Sequence, residues 1–183
     1  MKKPGFFSES IKNFRTIGAL APCSPQAAEK MVESIDFTKA RTIVEFGGGT
    51  GPVTKEILKR AHPDARVVVF EINDAFVDTL KKIDDARLTI LHASAADAAA
   101  KLRELGMEKA DYVVSTLPLA VLKDDVVESV FHAIKEILKP SGLYTQIQYG
   151  PFLKKRIENE FGEVKTLFVA LNVPPAFVYV CTR

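Results

Sequence analysis

Apolar residues near the start of the chain fall at helical spacing, and further on they gather into short, nearly continuous runs. Over residues 5–20 the 100° step of a helix groups Phe7, Ile11 and Phe14, with Phe6 and Ile17 beside them; Ser8, Glu9, Lys12, Arg15 and Thr16 fall opposite. The spacing predicts an amphipathic helix, whose apolar face suits packing on the domain and a membrane surface equally well. Ser24 then reads as an N-cap and Pro25 as the first residue of a second helix, with Ala28, Met31, Val32 and Ile35 among its apolar positions.

After residue 41 the pattern changes. Runs rich in β-branched and aromatic residues predict strands over 42–46, 66–71, 87–92, 111–115 and 143–149. Helices are predicted between them over 52–61, 74–83, 96–105 and 123–138. The last keeps Val127, Val130, Phe131, Ile134, Ile137 and Leu138 at helical spacing and stops at Lys139-Pro140-Ser141-Gly142. A short helix over 152–161 and strands over 164–171 and 176–181 follow. Such alternation predicts an α/β fold, a seven-stranded and mostly parallel sheet with helices on both faces. The chain divides on this reading into an N-terminal helical segment, 1–40, and a sheet-bearing domain, 41–183.

The most informative stretch is the first strand and the turn that follows, Arg41-Thr-Ile-Val-Glu-Phe-Gly-Gly-Gly-Thr-Gly-Pro52. The glycines let the backbone turn sharply and approach a ligand closely, and Pro52 is suited to open the next helix. A dinucleotide fingerprint counted from Gly47 would need a small residue at Pro52, and counted from Gly49 it would need one at Thr54. A triphosphate loop would need Gly-Lys-Ser/Thr, and here Gly51 is followed by Pro52 and Val53. What remains, an acidic residue two places before a Gly-x-Gly-x-Gly run, resembles the first motif of class I methyltransferases. That resemblance implies S-adenosylmethionine as cofactor, a Rossmann-like fold and a last strand inserted antiparallel by a hairpin.

Composition narrows the class further. Apolar residues at 47%, charged residues at 26% and a formal charge of +2 describe one ordinary globular domain without an extended nucleic-acid surface. Cys23 and Cys181 fit no disulfide or metal framework, and His62, His92 and His132 are scattered, so no metal is expected. Cys23 reads as a small buried filler rather than a reactive thiol. The first residues lack an uninterrupted apolar core of a secretory signal, and no later run is long enough for a bilayer span, which points to the cytoplasm.

On the class I resemblance, Glu45, Gly47, Gly49 and Gly51 form the cofactor turn. Glu71, twenty residues after Gly51, would accept hydrogen bonds from both ribose hydroxyls. Ile72 would lie against the adenine and Ser94 would bond its edge, where the family often carries Asp. Ser115 ends the fourth strand beside the point of methyl transfer, and Thr116, Leu117 and Pro118 would wall the acceptor site. Methyltransferases acting on adenine bases usually carry Asn or Asp, a proline pair and an aromatic at this loop. Neither an amide nor an aromatic occurs here, which favours a flexible amine over a planar base.

Gln146 and Gln148 share one side of the fifth strand and need polar partners there; Gln146 reads equally as a satisfied core residue and as a catalytic one. Tyr149 is the candidate to orient an acceptor amine. Asn172, in the loop after a parallel sixth strand, falls on the same side. The stretches 14–24, 115–119, 146–151 and 172–176 together resemble the bacterial phospholipid N-methyltransferases, which act on phosphatidylethanolamine. The likeness covers nearly the whole chain, with Cys23 and Thr116 standing where Ser and Gly are expected. It implies N-methylation of a phospholipid amine and a peripheral place on the inner face of the cell membrane through the N-terminal helix. Ribosomal RNA adenine dimethyltransferases are a more distant resemblance. The alternatives are an RNA or small-molecule N-methyltransferase and a membrane-associated module that binds S-adenosylmethionine without turnover.

Overall fold

The computed structural model describes residues 23–182, so the amphipathic stretch predicted over residues 5–20 lies outside the described residues. In chain order the elements are α1 (Pro25–Val32), β1 (Thr42–Phe46), α2 (Pro52–Arg60), β2 (Arg66–Glu71), α3 (Asp74–Leu80) and β3 (Leu88–His92). They continue with α4 (Ala98–Glu104), β4 (Ala110–Ser115), α5 (Asp124–Ile137), β5 (Leu138–Gln148), α6 (Lys154–Phe161), β6 (Val164–Val169) and β7 (Ala176–Thr182).

The seven strands form one sheet in the order β3-β2-β1-β4-β5-β7-β6. β1 pairs in parallel with β2 and β4, while β7 runs antiparallel between β5 and β6. The order therefore reverses between β1 and β4, and a crevice outside the carboxyl ends of those strands is where such sheets bind ligands.

Local chemistry explains the element boundaries. Ser24 caps α1 by accepting from Ala27 N at 3.1 Å, with Pro25 supplying the preset φ of the first turn. Asn73 caps α3 through Ala75 N and Phe76 N. In β1 and β2 every residue from Ile43 to Phe46 and from Val67 to Glu71 is buried, because helices cover both faces.

Two apolar layers sandwich the sheet. One joins Val44, Phe46, Val68 and Phe70 to Leu102 of α4, Phe131 and Ile134 of α5 and Ile157 and Phe161 of α6. The other joins Ile43, Val67 and Val69 to Ala28 and Met31 of α1, Val53 and Ile57 of α2 and Leu80 of α3.

α1, within the segment 1–40, packs in the second core layer through Ala27, Ala28, Met31 and Val32. One sequence-based boundary needs correction. β5 begins at Leu138 instead of 143, since Leu138 already pairs with Ala110 as α5 ends. The ladder is irregular between Ala110 and Tyr112, where a Cβ on Gly142 would stand 2.6 Å from Leu138 and 2.8 Å from the Asp111 carbonyl oxygen.

Candidate active site

The β1 turn sits at the sheet's switch point, and its glycines are there for different physical reasons. Gly47, Gly49 and Gly51 have φ of +81°, +54° and +87°, a region that other residues enter at a cost. A Cβ on Gly47 would also press on Thr116 Oγ1 at 2.9 Å, and one on Gly48 would strike Val69 at 2.6 Å. Gly49 differs, because a Cβ there meets nothing within 4 Å. Its backbone is bare toward open space, as a ligand cradle requires.

Two acidic residues flank this turn. Glu71 ends β2, nearly buried, with Oε2 accepting from Gly49 N at 2.9 Å and Oε1 accepting from Ile72 N at 2.8 Å and Asn73 N at 2.9 Å. An ionised carboxylate offers about four acceptor positions, so these three bonds fix its orientation and leave capacity for a ligand hydroxyl.

Glu45 lies fully buried beneath the turn. Its Oε2 accepts from Thr54 Oγ1 at 2.7 Å, whereas Oε1 has no partner among the described residues. Burial pushes this carboxyl up to about 8, against the pull of the Thr54 bond and with a smaller push from the Glu71 charge. Between the ordinary carboxylate value and that figure the unfolded chain releases a proton that the folded chain keeps. Stability should therefore fall as pH rises across this window and level off above it. Melting curves between pH 5 and pH 8 should fall more steeply for the native protein than for Glu45→Gln, by on the order of a few kcal/mol. Parallel curves would mean that Glu45 is ionised in the fold.

A pocket of about 100 Å³ opens beside the turn, lined among the described residues by Cys23, Gly47 to Thr50, Pro52, Val53, Phe76, Thr116, Ile147 and Tyr149. Tyr149 is 37% exposed at its mouth. Burial raises its phenol above the ordinary value, the nearby Cys23 adds to the rise, and a hydrogen bond with the Asn172 side chain opposes it. Asn172 is itself buried; its Oδ1 accepts from Ser24 N at 3.0 Å and its Nδ2 donates to Pro174 O at 2.8 Å. It thus ties the start of α1, the β6–β7 loop and Tyr149 together at one lip of the pocket. Burial, with Glu45 close by, pushes the Cys23 thiol up to about 12 and keeps it protonated, which suits a wall residue and not a nucleophile.

The other residues named from sequence divide between wall and scaffold. Thr116 reaches the pocket, and its Oγ1 donates to Gly47 O, stitching the β4 loop to the β1 turn. Ser115 and Gln146 are fully buried. Ser115 Oγ accepts from Leu117 N at 3.3 Å. Gln146 Oε1 accepts from Tyr144 Oη at 2.6 Å, and its Nε2 donates to Leu117 O at 3.0 Å and Ile147 O at 2.8 Å. Of the two readings of Gln146, these bonds describe a satisfied core residue, and both side chains help to hold the loop in place. Leu117 packs into the first core layer, and Pro118 is half-buried beside it.

Ile72 is half-buried, its carbonyl 3.1 Å from His92 Nε2, and Ser94 caps the turn at Ala95–Asp97 by accepting from Ala96 N at 3.2 Å. Sequence reasoning missed Phe76, Val53 and Ile147 as pocket residues. The first two stand in the opening turns of helices that start at the carboxyl edge, a position legible from the predicted caps. Among the described residues no group of three or more His, Cys, Asp or Glu is placed to hold a metal ion.

Comparison with known proteins agrees with this geometry. Residues 43–142 match the family described as Methyltransferase domain. An ornithine lipid N-methyltransferase from Singulisphaera acidiphila is 36% identical over 96% of this chain and 93% of its own. A ribosomal RNA small subunit methyltransferase A from Enterococcus faecalis is 32% identical over 64% of this chain, which spans only 39% of that relative. In structure, a Burkholderia thailandensis 1,6-didemethyltoxoflavin-N1-methyltransferase holding S-adenosylhomocysteine superposes with a TM-score of 0.71 at 12% identity, over 100% of this chain and 92% of the other. At that identity the likeness speaks for the fold.

Proposed function

The chain belongs to the S-adenosylmethionine-dependent methyltransferases, and we propose that within them it methylates the amine of a membrane lipid. The residues present fit the cofactor. Glu71 offers a ribose its remaining acceptor capacity, and the open side of Gly49 admits close approach. When bound, S-adenosylmethionine supplies an already activated methyl group, so the protein's own work is to align the acceptor and exclude water.

The observation that carries the lipid reading is the 36% identity, along nearly the whole of both chains, with a protein named for methylating ornithine lipid. It is supported by the acceptor side of the pocket. The loop from Thr116 to Leu122 has no aromatic ring to stack a base and no side-chain amide to hold one. In this reading Tyr149, hydrogen-bonded to the Asn172 side chain, receives a hydrogen bond from an incoming amine or donates one to it. The amine reacts as the free base, with solvent or a lipid phosphate taking its proton.

Purified protein with labelled cofactor, offered phosphatidylethanolamine, an ornithine lipid and ribosomal RNA in separate reactions, tests the reading. Label is expected in an organic-soluble amine product, and the preferred lipid identifies the head group. Label only in RNA would replace this reading with a ribosomal one, and no label anywhere would leave a binding module. Tyr149→Phe is expected to lower turnover on the lipid about tenfold or more, the scale of one hydrogen bond to a charged or reacting group, with cofactor affinity nearly unchanged. Loss of cofactor binding with turnover retained would put Tyr149 in the wrong half of the site.

A further inference from the structure

Three loop tips stand at the carboxyl edge of the sheet: residues 116–122 after β4 and 149–153 after β5, which give Thr116 and Tyr149 to the pocket, and 170–175 after β6, whose Asn172 bonds Tyr149. Not one of these residues is charged, in a chain where 26% are. Leu117, Leu119 and Leu153 turn into the core, and four other large apolar side chains turn outward. Phe152 is 87% exposed, Val173 81%, Leu171 71% and Val121 49%. These four make up most of the large apolar side chains exposed among the described residues, and they stand on three separate segments at that edge. Scattered exposure would need no explanation; its concentration at the mouth of the site does.

The tips are set off from a flanking band of charge. Lys123 follows the first tip, and Lys154, Lys155 and Arg156 follow the second. Asp124 and Asp125 share that band, with Asp124 paired to Arg156 and Glu158 to Lys154. Behind the first two tips cations exceed acids by four to three, while Ala170 and Leu171 of the third adjoin Glu29, Lys30 and Glu33. That arrangement fits a phospholipid surface better than a protein groove, with apolar tips reaching the acyl boundary and lysines at the depth of the phosphates. Tyr149, exposed at the pocket mouth, would then face the head-group layer.

We infer that the tips bearing Val121, Phe152, Leu171 and Val173 seat the pocket mouth on an anionic phospholipid bilayer, so that the acceptor enters from the membrane plane. This deepens the lipid reading and rests on it for the acceptor. It assigns membrane contact to the folded domain itself, independently of residues 1–22.

The test uses the full chain and the triple variant Phe152→Ser/Leu171→Ser/Val173→Ser. These side chains are exposed, so melting temperature and calorimetric affinity for S-adenosylhomocysteine should match the native protein. In flotation with vesicles of phosphatidylethanolamine and phosphatidylglycerol, the variant should bind at least tenfold more weakly and methylate vesicle lipid correspondingly less. Its activity on a short-chain, monomeric amine lipid should stay within about twofold. Equal flotation of native and variant proteins would overturn the seat. So would equal loss of activity on monomeric lipid, which would make these residues part of the acceptor site. A native dimer that the variant turns into monomers, with flotation unchanged, would assign the face to a second copy. If the native protein floats but methylates no lipid, the seat stands and the acceptor reading fails.

Discussion

Glu71→Ala is expected to weaken S-adenosylmethionine and S-adenosylhomocysteine binding between tenfold and several hundredfold. A carboxylate that accepts from a ribose forms charge-assisted bonds, and losing each is a matter of ~1.5 to 3 kcal/mol. The structure adds a second reason for a large effect, because the same carboxylate holds Gly49 N from one oxygen and Ile72 N and Asn73 N from the other. Alanine would leave three backbone donors to find water and release the turn from the end of β2. Glu71→Gln separates the two contributions. It retains one acceptor oxygen but turns an amide donor toward backbone N–H groups, so it too should bind poorly while keeping most of the side-chain volume. Calorimetry alongside a melting curve checks both variants, and unchanged affinity in folded Glu71→Ala would remove Glu71 from the site.

Glu71 also illustrates what could be read from the chain without coordinates. Its place at a strand end, a fixed distance past a glycine turn, follows from periodicity and spacing, as do β1, β2 and the Pro25 and Pro52 helix starts. These features are local: a β-branched run, a cap and a proline act within a few residues. What the residue does in the free protein, closing on Gly49 from 22 positions away in sequence, depends on two strands pairing in register. The partners of Ser115 and Gln146 were hidden for the same reason. A polar residue at the end of a strand looks the same in sequence whether it faces the crevice or the layer behind it. Here Gln146 shares its strand face with Tyr144, whose buried hydroxyl donates to it. The exposed rim had no periodicity to announce it, since loop tips do not repeat.

Gln146→Leu should accordingly be among the most damaging single changes in the scaffold, although it touches no ligand. Three groups depend on that amide: the buried Tyr144 hydroxyl, which donates to Oε1, and the Leu117 and Ile147 carbonyls, which accept from Nε2. Leaving a buried polar group unpaired costs about 1 to 3 kcal/mol. Two such losses would lower the melting temperature by roughly 5 to 20 °C for a chain of this size. Leu117 O is partly protected, because Gln148 Nε2 also donates to it at 3.1 Å. Gln148→Leu should therefore cost less than Gln146→Leu, and the double variant more than the sum, since Leu117 O then loses both donors at once. The functional consequence follows from geometry. Leu117 anchors the loop whose Thr116 is stitched to Gly47, so freeing it should raise the KM for the acceptor before it affects cofactor affinity. Thermal melts and acceptor kinetics on the two single variants and the double variant measure this directly. Equal, additive and small losses would show that the two glutamines do not act together on the Leu117 carbonyl.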